Sequence, residues 1–262
     1  MIIIGELING MYKDVSRAIA NREADIIQHL AIEQVKEGAS ILDVNIGPYS
    51  KDPVEDMKWV VDTIQAAVEV PLSLDSTKAD VIEAGLKLTK RRAVINSTTA
   101  DADKMDTIFA LTKRYNAQVI GLTMDKSGVP NNKAARLELA ATIVAKAIEF
   151  GINTDDLYLD PILLPLNVAQ AQGAEVLESI REFRLLCNPA PQTVFGLSNL
   201  SQGIKTRSLI NRTYLTMAIA NGLTAAILDP LDKKLMDSLI TAELLLNKNI
   251  YCDSFLEAYR KK

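Results

Sequence analysis

Residues 71–77 read Pro-Leu-Ser-Leu-Asp-Ser-Thr, a short apolar run that stops on a carboxylate and passes into two hydroxyl residues that suit a helix start. Residues 93–98, Ala-Val-Ile-Asn-Ser-Thr, repeat the arrangement with Asn96 at the stop. The same device recurs along the whole chain. Ile2–Ile4 leads to Glu6, Ile41–Val44 carries Asp43 and Asn45, and Val119–Leu122 ends at Thr123. Leu157–Leu159 ends at Asp160, Val194–Leu197 at Ser198 and Asn199, and Ala225–Leu228 at Asp229. Eight short Val/Ile/Leu-rich runs, each closing on a polar residue, predict eight parallel strands with reactive groups gathered at one end.

Between these runs lie helical patterns, at Asp25–Glu37 (stopped by Gly38), Pro53–Val68, Ala79–Lys87, Asp103–Tyr115, Lys133–Phe150 (stopped by Gly151), Ala174–Leu186, Leu209–Ala220 and Lys233–Leu246. The stretch after the first strand reads as a polar turn and the one after Asp160 as a long Pro-rich loop. The final segment, Tyr251–Tyr259, is expected to pack across the barrel bottom or on a neighbouring helix. Alternating strands and helices also suit an open doubly wound sheet. Eight units without a glycine-rich first turn favour closure into a (β/α)8 TIM barrel, expected as one domain over residues 1–262.

The net charge of −4 gives no electrostatic footprint for nucleic acid. No run approaches the ~20 apolar residues of a membrane span, so a soluble, cytoplasmic protein is expected. Cys187 and Cys252 form no Cys-x-x-Cys pair, which disfavours a cysteine metal site; both are expected as buried, reduced thiols. His29, the only histidine, falls mid-helix, so histidine catalysis and histidine metal ligation are excluded.

Asp75 is read as functional rather than as a helix cap, because Ser76 and Thr77 already offer caps. Asn96 and Asp160 occupy equivalent strand ends, and Gly196 lets a ligand approach the backbone beside Ser198 and Asn199. Asp43 and Asn45 share one side of their strand and serve either an internal hydrogen-bond layer or a ligand. Glu6 stays open between the same roles. Asp229, before Pro230, is read as a strand stop, and Trp59 and Tyr251 as packing aromatics. No strand end supplies the lysine that a Schiff-base aldolase needs. Asp229 and Asp232 at the end of the last strand would repel a phosphate. A hard divalent cation stays open from spacing alone. Carboxylates and amides suit a flat heterocycle, since an ionised Asp accepts two parallel hydrogen bonds from an amino-amidine edge while Asn donates and accepts.

Several strings in order carry a family resemblance: Ile-Gly-Glu-Leu-Ile-Asn-Gly (4–10), Leu-Asp-Ser-Thr (74–77), Ile-Asn-Ser-Thr (95–98), Ile-Gly-Leu-Thr-Met (120–124), Asp-Leu-Tyr-Leu-Asp-Pro (156–161), Gly-Leu-Ser-Asn (196–199), Leu-Ile-Asn-Arg (209–212) and Tyr-Cys-Asp-Ser-Phe (251–255). Together they resemble the methyltetrahydrofolate:corrinoid/iron–sulfur protein methyltransferases of the acetyl-CoA pathway. These are pterin-binding barrels related to dihydropteroate synthase and to the folate domain of methionine synthase. The resemblance implies a homodimer that takes methyltetrahydrofolate as substrate, with no tightly bound cofactor or metal. Cobalamin would be supplied by a partner corrinoid/iron–sulfur protein. By the same resemblance Asp75, Asn96 and Asp160 hold the pterin, and Asn199 reaches the methyl-bearing nitrogen. Arg207 lies toward the aminobenzoyl-glutamate end, Glu6, Gly196, Ser198 and Gln202 are neighbours of the ligand, and Met124 lines the pocket or the core. The rival readings are dihydropteroate synthase, a methyltransferase serving another corrinoid protein, and a non-catalytic folate-binding subunit.

Overall fold

The computed structural model describes residues 1–260. Its strands are β1 (Ile2–Asn9), β2 (Ile41–Asn45), β3 (Leu72–Asp75), β4 (Val94–Thr99), β5 (Gln118–Leu122), β6 (Leu157–Asp160), β7 (Gln192–Thr193) and β8 (Ala225–Leu228). The helices are α1 (Lys13–Asn21), α2 (Ala24–Lys36), α3 (Pro53–Gln65), α4 (Ala79–Leu86), α5 (Ala102–Arg114), α6 (Lys133–Glu149), α7 (Leu166–Ala169), α8 (Gln172–Phe183), α9 (Arg207–Ala220), α10 (Lys233–Leu245) and α11 (Phe255–Arg260). Every strand pair is parallel, in the order β7-β6-β5-β4-β3-β2-β1-β8. That order advances one strand at a time and has no switch point, which rules out the doubly wound sheet. The two ends meet where Ile227 N donates to Phe195 O at 3.0 Å and Gly196 bridges Ile227, closing the (β/α)8 barrel.

Side chains two apart on a strand share a face, and this places the site. Inside the barrel Ile4, Ile41, Val94, Ile120, Tyr158, Val194 and Ala225 form a separate apolar floor. Two residues further along their strands stand Glu6, Asp43, Asn96 and Asp160, so each strand runs from an apolar plug to a polar mouth. The opposite strand faces, including Leu42, Val44, Leu74, Ile95, Leu159 and Phe195, pack beneath the helices in the main core.

The helix α1 replaces the expected polar turn. Its charged sequence hides an apolar stripe of Val15, Ala18 and Ile19, and it ends at Arg22, whose φ of 58° turns the chain. The Arg22 guanidinium lies 5.0 Å from the Trp59 ring centre and pairs with Asp56 at 2.7 Å. The Pro-rich loop contains the single turn α7. The seventh strand does not extend over the expected Val194–Leu197: it is Gln192–Thr193, and Leu197–Asn199 forms a 3-10 turn. Cys187 is half-buried and Cys252 exposed, both free thiols, which corrects the expectation of buried ones; an exposed position follows from the open C-terminal stretch around Ile250 and Tyr251. The last helix, α11, packs on α10. No helix among the described residues is long and apolar enough to cross a membrane.

Candidate active site

A cavity of about 280 Å³ opens at the C-terminal mouth of the barrel, the face that carries the active site in enzymes of this fold. Asp43, Asp75, Asn96 and Asp160 reach it from β2, β3, β4 and β6, and Glu6 from β1. Gly196, Ser198 and Asn199 come from the turn after β7, while Leu122, Met124, Ile162, Leu163 and Ile227 supply apolar wall. Asp75, Asn96 and Asp160, set far apart in the chain, therefore converge on one mouth.

Hydrogen bonds fix the acceptors in place. Asn45 donates from Nδ2 to Asp75 Oδ2 at 2.6 Å, and Gly47 N in turn holds Asn45 Oδ1 at 2.7 Å. Gly47 has φ 76° and lies so close to Gly10 that a Cβ there would sit 2.6 Å from the Gly10 backbone, so this turn admits only glycine. Asp43 accepts from Ser73 Oγ at 2.6 Å and from Asn96 Nδ2 at 3.1 Å, all on one oxygen, Oδ1. Asp160 Oδ1 accepts from Ile162 N at 2.7 Å. Each carboxylate thus keeps capacity for a ligand. Asp43, which the sequence left between structure and ligand, does both: it braces Asn96 and lines the cavity.

The cavity is acidic and poorly solvated, and its carboxyls respond. Burial pushes Asp160 up to about 7, against the opposing pull of Ile162 N and of the Arg136 cation. Burial first, and the neighbouring Asp75 second, raise Asp43 well above the carboxylate range. Asp75 is raised by burial too, against its Asn45 bond and the positive Lys104. Glu6 is pushed to about 7 by burial, restrained by the hydrogen bond from Ser198. A ring that donates N–H groups to these carboxylates would draw them into their ionised form.

A second cavity of about 350 Å³ adjoins the first and shares Glu6 and Ser198 with it. Arg207, the first residue of α9, lines this neighbour rather than the barrel mouth, and its Nε donates to Ser201 Oγ at 3.2 Å. Asp229 lines it as well, with Oδ1 accepting from Leu231 N at 2.9 Å in the manner of a strand stop. Gln202 is exposed and lines neither cavity, because its turn carries it outward. Asn9, Ile162 and Leu163 were missed. Asn9 ends β1 as the other site residues end their strands, whereas Ile162 and Leu163 sit in a loop and carry no sequence signal. Among the described residues no cluster of three His, Cys, Asp or Glu is arranged to hold a metal ion.

A family profile described as pterin binding enzyme matches residues 6–229. The chain is 30% identical over its full length to a methylcorrinoid:tetrahydrofolate methyltransferase of Eubacterium limosum, 97% of which it covers. It is 28% identical over 87% of its length to the methionine synthases of Mycobacterium tuberculosis and Mycobacterium leprae, spanning 20% of each.

Proposed function

The chain belongs to the pterin-binding enzymes, and on that premise we propose that it transfers a methyl group between N5 of tetrahydrofolate and a corrinoid carried by a separate protein. The observation that carries this reading is the convergence of Asp75, Asn96 and Asp160 on one small cavity beside Asn199. Asp75 and Asp160 accept from the amino-amidine edge of the reduced pterin, and Asn96, steadied by Asp43, bonds the adjacent ring positions. The apolar side chains of Met124, Ile162 and Ile227 flank the ring faces.

A methyl group on a tertiary amine is a poor candidate for displacement unless the nitrogen gains positive character. As the N5–methyl bond breaks, its electron pair stays on N5, which takes up a proton, and the methyl passes to the reduced corrinoid. Asn199 is no acid at neutral pH, but its amide can hydrogen-bond the N5–H and so favour the transition state over the bound substrate. The reduced corrinoid, when its protein docks over the rim, supplies the nucleophile. The chain's own residues grip the ring, exclude water from its faces and present the methyl outward.

The name of the Eubacterium relative writes the transfer from methylcorrinoid to tetrahydrofolate. Both directions share one transition state, so one cradle serves either, and the supply of methyl donor sets the direction. We assign the corrinoid/iron–sulfur protein of the reductive acetyl-CoA pathway as partner, in the cytoplasm, with this chain acting as a homodimer. A second reading, service to another corrinoid protein, is favoured by that same name, which specifies a methylcorrinoid and no iron–sulfur protein. Dihydropteroate synthase is disfavoured, since among the described residues no lysine or arginine lines the cavity where pyrophosphate would leave.

Mixing methyltetrahydrofolate with cob(I)alamin, with and without the protein, tests the proposal by absorbance. Catalysed appearance of methylcobalamin is expected, from a protein that is itself colourless. Absence of methyl transfer despite tight folate binding would make the chain a binding subunit. Repeating the assay with purified corrinoid proteins separates the two partners.

A further inference from the structure

Arg136 is the largest fully buried side chain among the described residues, an unusual place for a guanidinium that no carboxylate among them neutralises by direct contact. It stands in the first turn of α6, outside the barrel, and faces the back of β6. Its Nε donates to Pro161 O at 2.8 Å and its Nη2 to Gln172 Oε1 at 2.7 Å, while Nη1 is buried without a partner. Pro161 opens the loop that follows β6, and Gln172 is the first residue of α8, into which that loop runs. One rigid fork therefore ties both ends of that loop to the same helix.

The loop begins in a conformation that needs holding. Ile162, a β-branched residue, has φ 64°, in the left-handed region where a Cβ crowds the backbone. In that conformation its N–H points back at Asp160 Oδ1, 2.7 Å away, and its side chain joins the cavity wall. Further along the loop Leu166 N donates to Leu200 O at 2.9 Å, next to Asn199. The loop thus links the carboxyl of β6 to the turn that carries Asn199, and Arg136 is the anchor behind it.

We propose that Arg136 is a positioning residue for the pterin site: by bonding Pro161 and Gln172 together it holds Ile162 in its strained turn and so fixes Asp160 and the loop wall. The proposal rests on the pterin-binding reading above. Strain at functional positions persists only where surrounding contacts enforce it, and a bidentate guanidinium supplies such enforcement where a lysine cannot.

Four proteins test this: wild type, Arg136→Met, Ile162→Gly and the double variant, with Arg136→Lys as the substitute if the methionine variant fails to fold. Hydrogen exchange without ligand reads the loop directly. In Arg136→Met or Arg136→Lys, amides of residues 161–172 should exchange about tenfold faster or more, while those of α3 and α4 keep their protection. Affinity for methyltetrahydrofolate should fall about tenfold or more, and in Arg136→Met the pH of half-maximal binding should also rise, because there Asp160 has lost its cation. Glycine adopts the left-handed turn freely, so the Arg136 substitution should cost several-fold less affinity in the Ile162→Gly background. Unchanged exchange at 161–172 overturns the proposal, as does a loosened loop with undiminished affinity or an equal loss in both backgrounds. A wild-type protein that does not bind methyltetrahydrofolate refutes the pterin reading instead, and the exchange data still judge the anchor.

Discussion

Ser198 donates from Oγ to Glu6 Oε1 at 2.6 Å, joining the first and seventh barrel segments across 192 residues of sequence. The bond sits on the partition between the two cavities at the barrel mouth. Glu6 is largely shielded from solvent, and its carboxyl responds with a raised affinity for protons.

Glu6 should therefore make the ligand-free protein less stable as pH rises. Its folded pKa of about 7 lies above the ordinary glutamate value of 4.5, so the folded state retains a proton that the unfolded chain releases. The stabilisation is complete below about pH 4.5 and is lost as pH climbs through 7. Glu6→Gln carries no such dependence. Relative to wild type it should gain roughly 3 kcal/mol at most between pH 4.5 and 8, read from urea unfolding at several pH values. A pH-independent difference would show that Glu6 titrates normally.

Binding of methyltetrahydrofolate should strengthen from pH 5.5 to about 7 and then level off, because Asp160 must ionise to accept from the pterin edge. Below pH 7 binding should release protons, visible in calorimetry as a heat that changes with the buffer. Asp160→Asn should weaken binding about 10- to 100-fold, in keeping with loss of a charge-assisted bond, and should flatten that pH response.

Asn199→Ala should lower single-turnover methyl transfer by about 100-fold or more, with a much smaller effect on folate affinity. Stopped-flow absorbance of the corrinoid separates the two. An unaltered rate would remove Asn199 from the reaction.

Gly196→Ala tests the same group without deleting it. A Cβ on Gly196 would stand 3.1 Å from Asn199 Nδ2, so the amide must yield by a few tenths of an ångström. We expect the rate to fall about tenfold, since small misplacements of a positioned group are costly, while the melting temperature barely moves.

Strand ends were legible because a covered parallel strand reads as an apolar run, and its polar stop marks the mouth of the barrel. That logic found Asp75, Asn96 and Asp160 and the face they share. It faltered where backbone geometry departs from pattern. Val194, Phe195 and Leu197 are as buried as any strand residue, yet β7 has already ended at Thr193, so Asn199 rides on a 3-10 turn. Helix α1 was hidden by its charges, and a stripe of three buried residues was too thin to announce it. Arg136 carries no sequence signal, since nothing local reveals a cation bonded to a loop carbonyl 25 positions away. Gln202 lies exposed outside both cavities, whereas Arg207 lines the cavity that adjoins the mouth.

The brief β7 gives the barrel one slender stave. Toward β8 it is joined by one main-chain rung, Ile227 to Phe195, and by side-chain bonds between Thr193 and Thr224, where other seams have several main-chain rungs. Yielding at that seam would leave the ladders under Asp43, Asp75 and Asn96 untouched. Any compliance in the barrel would thus fall in the wall that bears Asn199, while the wall that carries Asp43, Asp75 and Asn96 stays fully laddered.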